Sequence, residues 1–217
     1  MGFLQLFDFL KRLQRNNHKK WMDANRKEYH QVRDFFIAWL DNINNELVEI
    51  DDHYFNTPGR KAINRINNNL MFHPDRPVYK DHFAAGLDQV TKQGDFYIEL
   101  GVNECFMGGG YWHPSSKLLS SIRDAIDYNG EELLAIVNKK SFVDTFGGML
   151  ETKSLKNPPK GYSNDHPHIK LLKMRSFAAG WTFTPQEVLS KNYDKKVIEI
   201  YKELLPFRRY LNEAVTV

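Results

Sequence analysis

Apolar residues recur every three to four positions over the first fifty residues, which predicts helices. Phe3, Leu6, Phe7, Leu10 and Leu13 share one face of a first helix, and Asn16-Asn17 is its stop. A longer helix follows, with Tyr29, Val32, Phe36, Trp39, Leu40, Ile43 and Leu47 on one stripe. Its opposite face carries Arg26, Lys27, Arg33, Asp34 and Asp41 and reads as solvated. Thr57-Pro58-Gly59 is a turn. Alternation from Ala62 to Asn68 suggests the start of a strand. Asn67-Asn68-Asn69, Pro74 and Pro77 then favour irregular backbone up to Lys80.

The middle of the chain changes period. Phe96, Ile98, Leu100 and Val102 alternate with Tyr97 and Glu99, which predicts a strand over 95–102. A second strand is expected over 105–112. Asn103-Glu104 between the two is a tight hairpin turn, which implies antiparallel pairing. His113-Pro114-Ser115 opens a helix with Leu118, Leu119, Ile122, Ala125 and Ile126 inward. A short helix over 131–138 follows Asn129-Gly130. The stretch 141–150 reads as strand or loop, and 155–165 as loop. A short helix with Ile169, Leu171 and Leu172 comes next, then a strand over 176–183. Thr184-Pro185-Gln186-Glu187 is a capping box with proline at the first helical position. The last helix runs through Val197, Ile200, Tyr201, Leu204 and Leu205, and Pro206 is expected to kink or end it. Helices first, strands in the middle and helices last predict an α+β fold. A central antiparallel sheet would carry helices at the N- and C-terminal ends, in a single domain over 1–217.

Composition narrows the class. At 217 residues the chain is long enough for a core without disulfides or metal staples. Thirty basic against 27 acidic side chains give a formal charge of +3, which argues against a dedicated nucleic-acid binder. Cys105 is the single cysteine, so neither an intrachain disulfide nor a multi-cysteine zinc site can form, and a reducing compartment fits. In its apolar run Cys105 reads as a small buried hydrophobe. The first residues lack a basic n-region and a cleavage site, and no stretch approaches the roughly 18 apolar residues of a span. A cytoplasmic protein without a membrane partner is expected. The sequence does not specify an oligomeric state.

Other candidate chemistry is thin. His73, His82, His113, His166 and His168 include no His-Glu-x-x-His, so no metal or cofactor is assigned. His166, just before a helix, reads as orienting the loop between Pro159 and Pro167. Gly108-Gly109-Gly110 lacks the Lys-Ser/Thr of a phosphate loop and reads as a bulge or a close backbone approach. No Gly-x-Ser-x-Gly elbow occurs. Tyr54, Phe55, Trp112 and Tyr162 would stack bases or sugars only if exposed.

The strongest local signal runs from Arg65 to His82, with Phe72, Asp75, Arg76, Tyr79 and Lys80 inside it. This stretch resembles the motif of the uncharacterised bacterial family known as domain of unknown function 2461. That motif runs Arg, two residues, Arg-Asp, one residue, Arg-Phe, then Asp-Lys and Tyr. Arg65, Phe72, Asp75 and Tyr79 match it, and Arg76 replaces the Lys. Asn68, Asn69 and Met71 stand where the family has Arg, Asp and Arg. The likeness extends over nearly the whole chain, through Phe9-Leu10, Asn16-Asn17, Trp21 and Asn25. It continues at Phe106-Met107-Gly108, Gly110-Tyr111 and Pro114, then Pro159-Lys160-Gly161-Tyr162 and Asp165-His166-Pro167. It implies the same fold class and supplies no reaction.

An Arg fork pairs with carboxylate or phosphate, while Lys acts as a point charge. A cleft lined by Arg60, Arg65, Asp75, Arg76, Tyr79, Lys80, Lys160 and His166 would bind a small phosphate- or carboxylate-bearing ligand. The competing reading pairs these charges with Asp75, Asp81 and Asp165 in a structural ion network, in a protein-interaction or scaffold domain.

Overall fold

The computed structural model describes residues 1–216. Helix α1 (Phe3–Arg15) buries Leu6, Phe7, Phe9, Leu10 and Leu13, and Asn16 closes it through an N–H donated to the Leu13 carbonyl. The next helical region is two helices, α2 (Lys19–Ala24) and α3 (Arg26–Val48), where the periodicity alone suggested one. Asn25 separates them at φ −109° and ψ 15°, and its side-chain amide donates to the Trp21 carbonyl at 2.8 Å. That local bond competes with continuation of the helical ladder.

Helix α4 (Gly59–Ala62) comes just before the stretch where a strand start was expected. Pro58 sits at its N-cap, and the Gly59 N–H donates to Asp41 Oδ1 at 2.7 Å. A Cβ on Gly59 would lie 2.6 Å from the Ile37 carbonyl oxygen, so this turn rests on the α3 backbone. Ile63 and Asn67 then form isolated antiparallel bridges to Ala85 and Tyr79.

Strand β1 (His82–Leu87) has no counterpart in the alternation pattern, because both its faces are covered and its centre is small: Phe83, Ala84, Ala85, Gly86 and Leu87 are all buried. Strands β2 (Phe96–Gly101) and β3 (Cys105–Tyr111) form the expected hairpin, closed by a Gly101 N–H donated to the Glu104 carbonyl at 3.1 Å. Helix α5 (Ser116–Val137) is capped by Ser115 Oγ, which accepts from the Leu118 N–H. It bends at Asn129 (φ −148°, ψ 58°), where the sequence placed a break between two helices. Helix α6 (Lys140–Phe146) overturns the strand-or-loop expectation for 141–146, while 147–150 is loop. Phe142 is its buried anchor, and Gly147 ends it at φ 69°.

Helix α7 (Ile169–Leu172) and strand β4 (Phe177–Phe183) form as expected. The predicted capping box appears whole on α8 (Pro185–Val188): the Thr184 hydroxyl accepts from the Glu187 N–H, and Glu187 accepts from the Thr184 N–H. Pro206 does not end the last helix; α9 (Tyr193–Ala214) runs on through it, with Leu204, Phe207 and Leu211 buried around it. The four strands form one antiparallel sheet in the order β1-β2-β3-β4, so the fold is α+β with helices flanking a sheet. No helix among the described residues is long and apolar enough to cross a membrane.

Two compact units are distinguished along the chain. The first holds Met1–Gln89, Tyr97–Met107 and Thr182–Ile198. Its core joins the apolar faces of α1 and α3 to an aromatic cluster. Phe3 meets Trp39 edge-on at 5.3 Å, and Trp39 stacks on Tyr193 at 5.5 Å. The Trp39 indole N–H donates to Asp194 Oδ1 at 2.8 Å, which satisfies the one polar atom of that ring.

The second unit holds Val90–Phe96, Gly108–Trp181 and Glu199–Val217. Here the glycine run does what close backbone approach requires. A Cβ on Gly110 (φ 108°) would lie 2.3 Å from the Phe177 carbonyl oxygen, and one on Gly94 would lie 2.6 Å from the Gly110 carbonyl oxygen. Arg208 is buried beside them, donating to the Gly94 carbonyl at 2.9 Å with its guanidinium 5.6 Å from the Tyr201 ring centre.

Candidate functional site

Six of the eight candidate residues belong to the first unit: Arg60, Arg65, Asp75, Arg76, Tyr79 and Lys80. The chain from Ile66 to Asn68 runs antiparallel to the chain from Val78 to Lys80. The Asn68 N–H donates to the Val78 carbonyl at 3.0 Å, and the Lys80 N–H to the Ile66 carbonyl at 2.7 Å. Asn17 clamps the same strip from α1's C-terminal side. Its Nδ2 donates to the Tyr79 carbonyl, and its Oδ1 accepts the Tyr79 N–H, both at 2.8 Å. This two-point bond copies the pattern of a β-ladder, which is why asparagine and no apolar residue serves there.

The clamp shapes a pocket of about 250 Å³ lined by Gln14, Asn17, Asn68, Arg76, Pro77, Tyr79, Lys80, Asp81 and His82. Arg76, Tyr79 and Lys80 are thus brought together. Arg65 lies close enough for its charge to act on Lys80. Arg60, exposed on α4, and Asp75, exposed in the loop, lie outside the lining. Gln14 Nε2 donates to Asp81 Oδ2 at 2.8 Å. His82 sits between two carboxylates, with Nδ1 3.6 Å from Asp81 and Nε2 3.7 Å from Glu99. Glu99 in turn accepts the Tyr97 hydroxyl at 2.6 Å.

Lys80 is half-buried in the lining of this pocket. Burial pushes its ammonium below the ordinary lysine value of 10.5; Glu99 opposes that shift, while Arg65 and Arg76 add to it. Among the described residues, no carboxylate lies within ion-pairing distance of Arg60, Arg65, Arg76 or Lys80. The structural ion network with Asp75 and Asp81 is therefore absent there. Asp81 is engaged by Gln14 and faces His82 instead. The three neutral positions of the motif leave no buried hole. Asn68 Nδ2 donates to the Pro77 carbonyl at 2.8 Å, the Asn69 carbonyl accepts from Phe72 and His73, and Met71 is exposed.

Sequence reasoning missed Gln14, Asn17, Asp81, His82 and Glu99 as parts of the site. Asn17 carried a signal, but the signal read as a helix stop. Asp81 and His82 stood inside the motif, and only the start of an unforeseen strand turns them toward Lys80's neighbourhood.

Lys160 and His166 belong to the second unit. Lys160 is exposed in the turn Pro159–Tyr162, closed by the Tyr162 N–H on the Pro159 carbonyl at 3.2 Å with Gly161 at φ 97°. His166 Nε2 lies 2.8 Å from Asp127 Oδ1, and His166 Nδ1 accepts the His168 N–H at 3.0 Å. Both ring nitrogens are therefore engaged, with the proton on Nε2, and the side chain holds its loop as the sequence suggested. The neighbouring Tyr162 hydroxyl donates to Asp124 Oδ1 at 3.1 Å. Burial, then the Asp124 carboxylate, push that phenol up to about 12. A wider cavity of about 610 Å³ in this unit is lined by Leu134, Val137, Val143, Leu150, Leu171 and Met174 among others. It gathers no cluster of charges.

Cys105 is fully buried, and burial raises its thiol to about 12, which makes it a packing residue. Among the described residues, no group of three or more His, Cys, Asp or Glu side chains is arranged to hold a metal ion.

The fold and the pocket together define a class: an α+β protein with a half-buried lysine and an arginine, neither ion-paired among the described residues, lining one small pocket. The chain matches the family model described as conserved hypothetical protein (DUF2461) over residues 5–210, and it belongs to that family. No curated protein and no solved structure matches it.

Proposed function

We propose that the Lys80 pocket binds a small anionic ligand bearing phosphate or carboxylate. The observation that carries this reading is that Lys80, half-buried and acted on by the charges of the exposed Arg65 and Arg76, makes no ion pair among the described residues, with only Glu99 opposing them from beyond ion-pairing distance. Gathering like charges in a partly desolvated place costs free energy unless an anion joins them. The pocket has room for a phosphate or a short carboxylic acid, and a guanidinium with an ammonium can grip either. Asn68 and Gln14 amides on the same lining offer neutral donors, and His82 stands at the pocket as a group able to move a proton. Tyr79 serves through its backbone, as the strip that carries Lys80. Arg60 and Asp75 would tune the field from outside the lining, and His166 is left to its loop. Lys160 is not needed. The reading extends to residence in the cytoplasm, which a chain with one buried thiol fits.

Thermal denaturation with orthophosphate, pyrophosphate and a series of di- and tricarboxylates tests this. A ligand at about a hundred times its Kd should stabilise the chain by about 2.7 kcal/mol. Arg76→Ala and Lys80→Ala should abolish the stabilisation while keeping the fold. If no anion raises the melting temperature, or the variants respond as the wild type does, the reading fails.

A further inference from the structure

The loop that closes the pocket also carries an exposed apolar tip. Met71 is 83% and Phe72 72% exposed, and Leu70 beside them is 37% exposed. Three consecutive apolar side chains at a turn project in several directions, so no single groove would receive them all. Along the segment that carries this tip the charge is one-sided. Residues 60–80 hold Arg60, Lys61, Arg65, Arg76 and Lys80 against the single acid Asp75, so 5 − 1 gives +4, and the remainder of the +3 chain is −1. Arg60, Arg65, Arg76 and Lys80 make no ion pair among the described residues.

The tip's backbone is also prepared for an apolar phase. The Phe72 and His73 N–H groups both donate to the Asn69 carbonyl, at 3.3 and 3.0 Å, and the Arg76 N–H donates to the His73 carbonyl at 3.2 Å. A segment entering hydrocarbon must satisfy its polar backbone internally, and much of this turn does. Asn67, Asn68 and Asn69 precede it in the chain as a polar run. An exposed apolar tip within a strongly basic segment is the pattern of a peripheral membrane contact, in which buried apolar area and attraction to acidic headgroups act together.

We infer that the 70–72 tip docks on an anionic lipid surface, with Leu70, Met71 and Phe72 entering the headgroup boundary and Arg65, Arg76 and Lys80 facing acidic headgroups. Such a contact lies on the bilayer and needs no spanning helix. It goes beyond the small-ligand reading while sharing its cations.

The test is co-sedimentation of the whole chain with phosphatidylcholine vesicles, with or without an equal share of phosphatidylserine, at low and high salt. The wild type should bind the serine-containing vesicles and lose about tenfold or more in affinity without the acidic lipid or in high salt. Met71→Ser/Phe72→Ser should weaken vesicle binding about tenfold. It should leave the melting temperature and the response to orthophosphate and pyrophosphate unchanged, since both side chains are exposed. Arg65→Ala/Arg76→Ala should lose vesicle binding as well. Phe72→Trp should show a blue-shifted emission on adding acidic vesicles. No sedimentation with acidic vesicles at low salt overturns the inference, and then a protein is the partner to seek for this tip. Binding that Met71→Ser/Phe72→Ser does not weaken, or an emission from Phe72→Trp that does not shift, reduces it to surface adsorption and overturns it equally. Loss of the anion response with vesicle binding retained would sink the small-ligand reading alone.

Discussion

Asn17→Ala removes both hydrogen bonds that tie the Tyr79 backbone to the end of α1. Each such bond is worth about 1 kcal/mol net. Tyr79 is buried, so its freed N–H and C=O regain water poorly, which moves the cost toward the upper part of the range. The expected loss is about 2–3 kcal/mol, or a fall of about 4–12 °C in melting temperature for a chain of this size. Urea denaturation measures the free energy, and amide hydrogen exchange locates it. Exchange should accelerate at Tyr79, while the Lys80 amide stays protected by its bond to the Ile66 carbonyl. Affinity for the anion should fall as well, because Lys80 and Arg76 hang on this strip. A loss under about 0.5 kcal/mol with Tyr79 still protected would falsify the view that Asn17 holds the pocket. The bridge to Asn67 would then suffice by itself.

Three further outcomes follow from the same geometry. Gly110→Ala forces a Cβ to within 2.3 Å of the Phe177 carbonyl at a φ of 108°, and should cost about 3 kcal/mol or more by denaturant titration. Cys105, raised from 9.0 to about 12, holds roughly a thousandfold less thiolate than a free thiol. An aromatic disulfide reagent should therefore label it only after denaturant is added, and prompt labelling of the native chain would contradict its burial. Lys80 has a lowered ammonium pKa, so anion affinity should be full only below that lowered value. It should decline as the pH rises through that lowered value, before the 10.5 of ordinary lysine is reached. A decline centred at or above 10.5, followed by calorimetric titration across pH, would count against Lys80 as the gripping charge.

Regular period and local cap chemistry made much of this fold legible. The α1 stripe, the β2–β3 hairpin and the Thr184–Glu187 box each express a rule confined to a few residues. The missed parts depend on what lies far along the chain. His82–Leu87 is a strand because both faces are covered, and Ala84, Ala85 and Gly86 carry no alternation to announce it. Lys140–Phe146 is a helix anchored by Phe142, whose ring meets Phe207 at 5.6 Å from a distant segment. Asn25 divides α2 from α3 through a side-chain bond that periodicity does not encode. In the site, the cations of the motif were readable from residue type. Their freedom from acid partners was not, because Asp81 could have paired with Lys80 until Gln14 was seen to occupy it. Asn17 was legible only as a stop, since its other role needs Tyr79 from far along the chain.

The paired strip at 66–68 and 78–80 has a consequence for how the chain can be rebuilt. Both ends of the intervening segment are stitched together before the tip begins, so its length is decoupled from everything below the stitch. Doubling a flexible segment that is already closed at its ends costs only about 0.6 kcal/mol. Residues 69–75 therefore form a natural cassette, open to lengthening, grafting of a foreign peptide, or relocation of the chain ends, while Arg76 and Lys80 keep their places in the pocket lining.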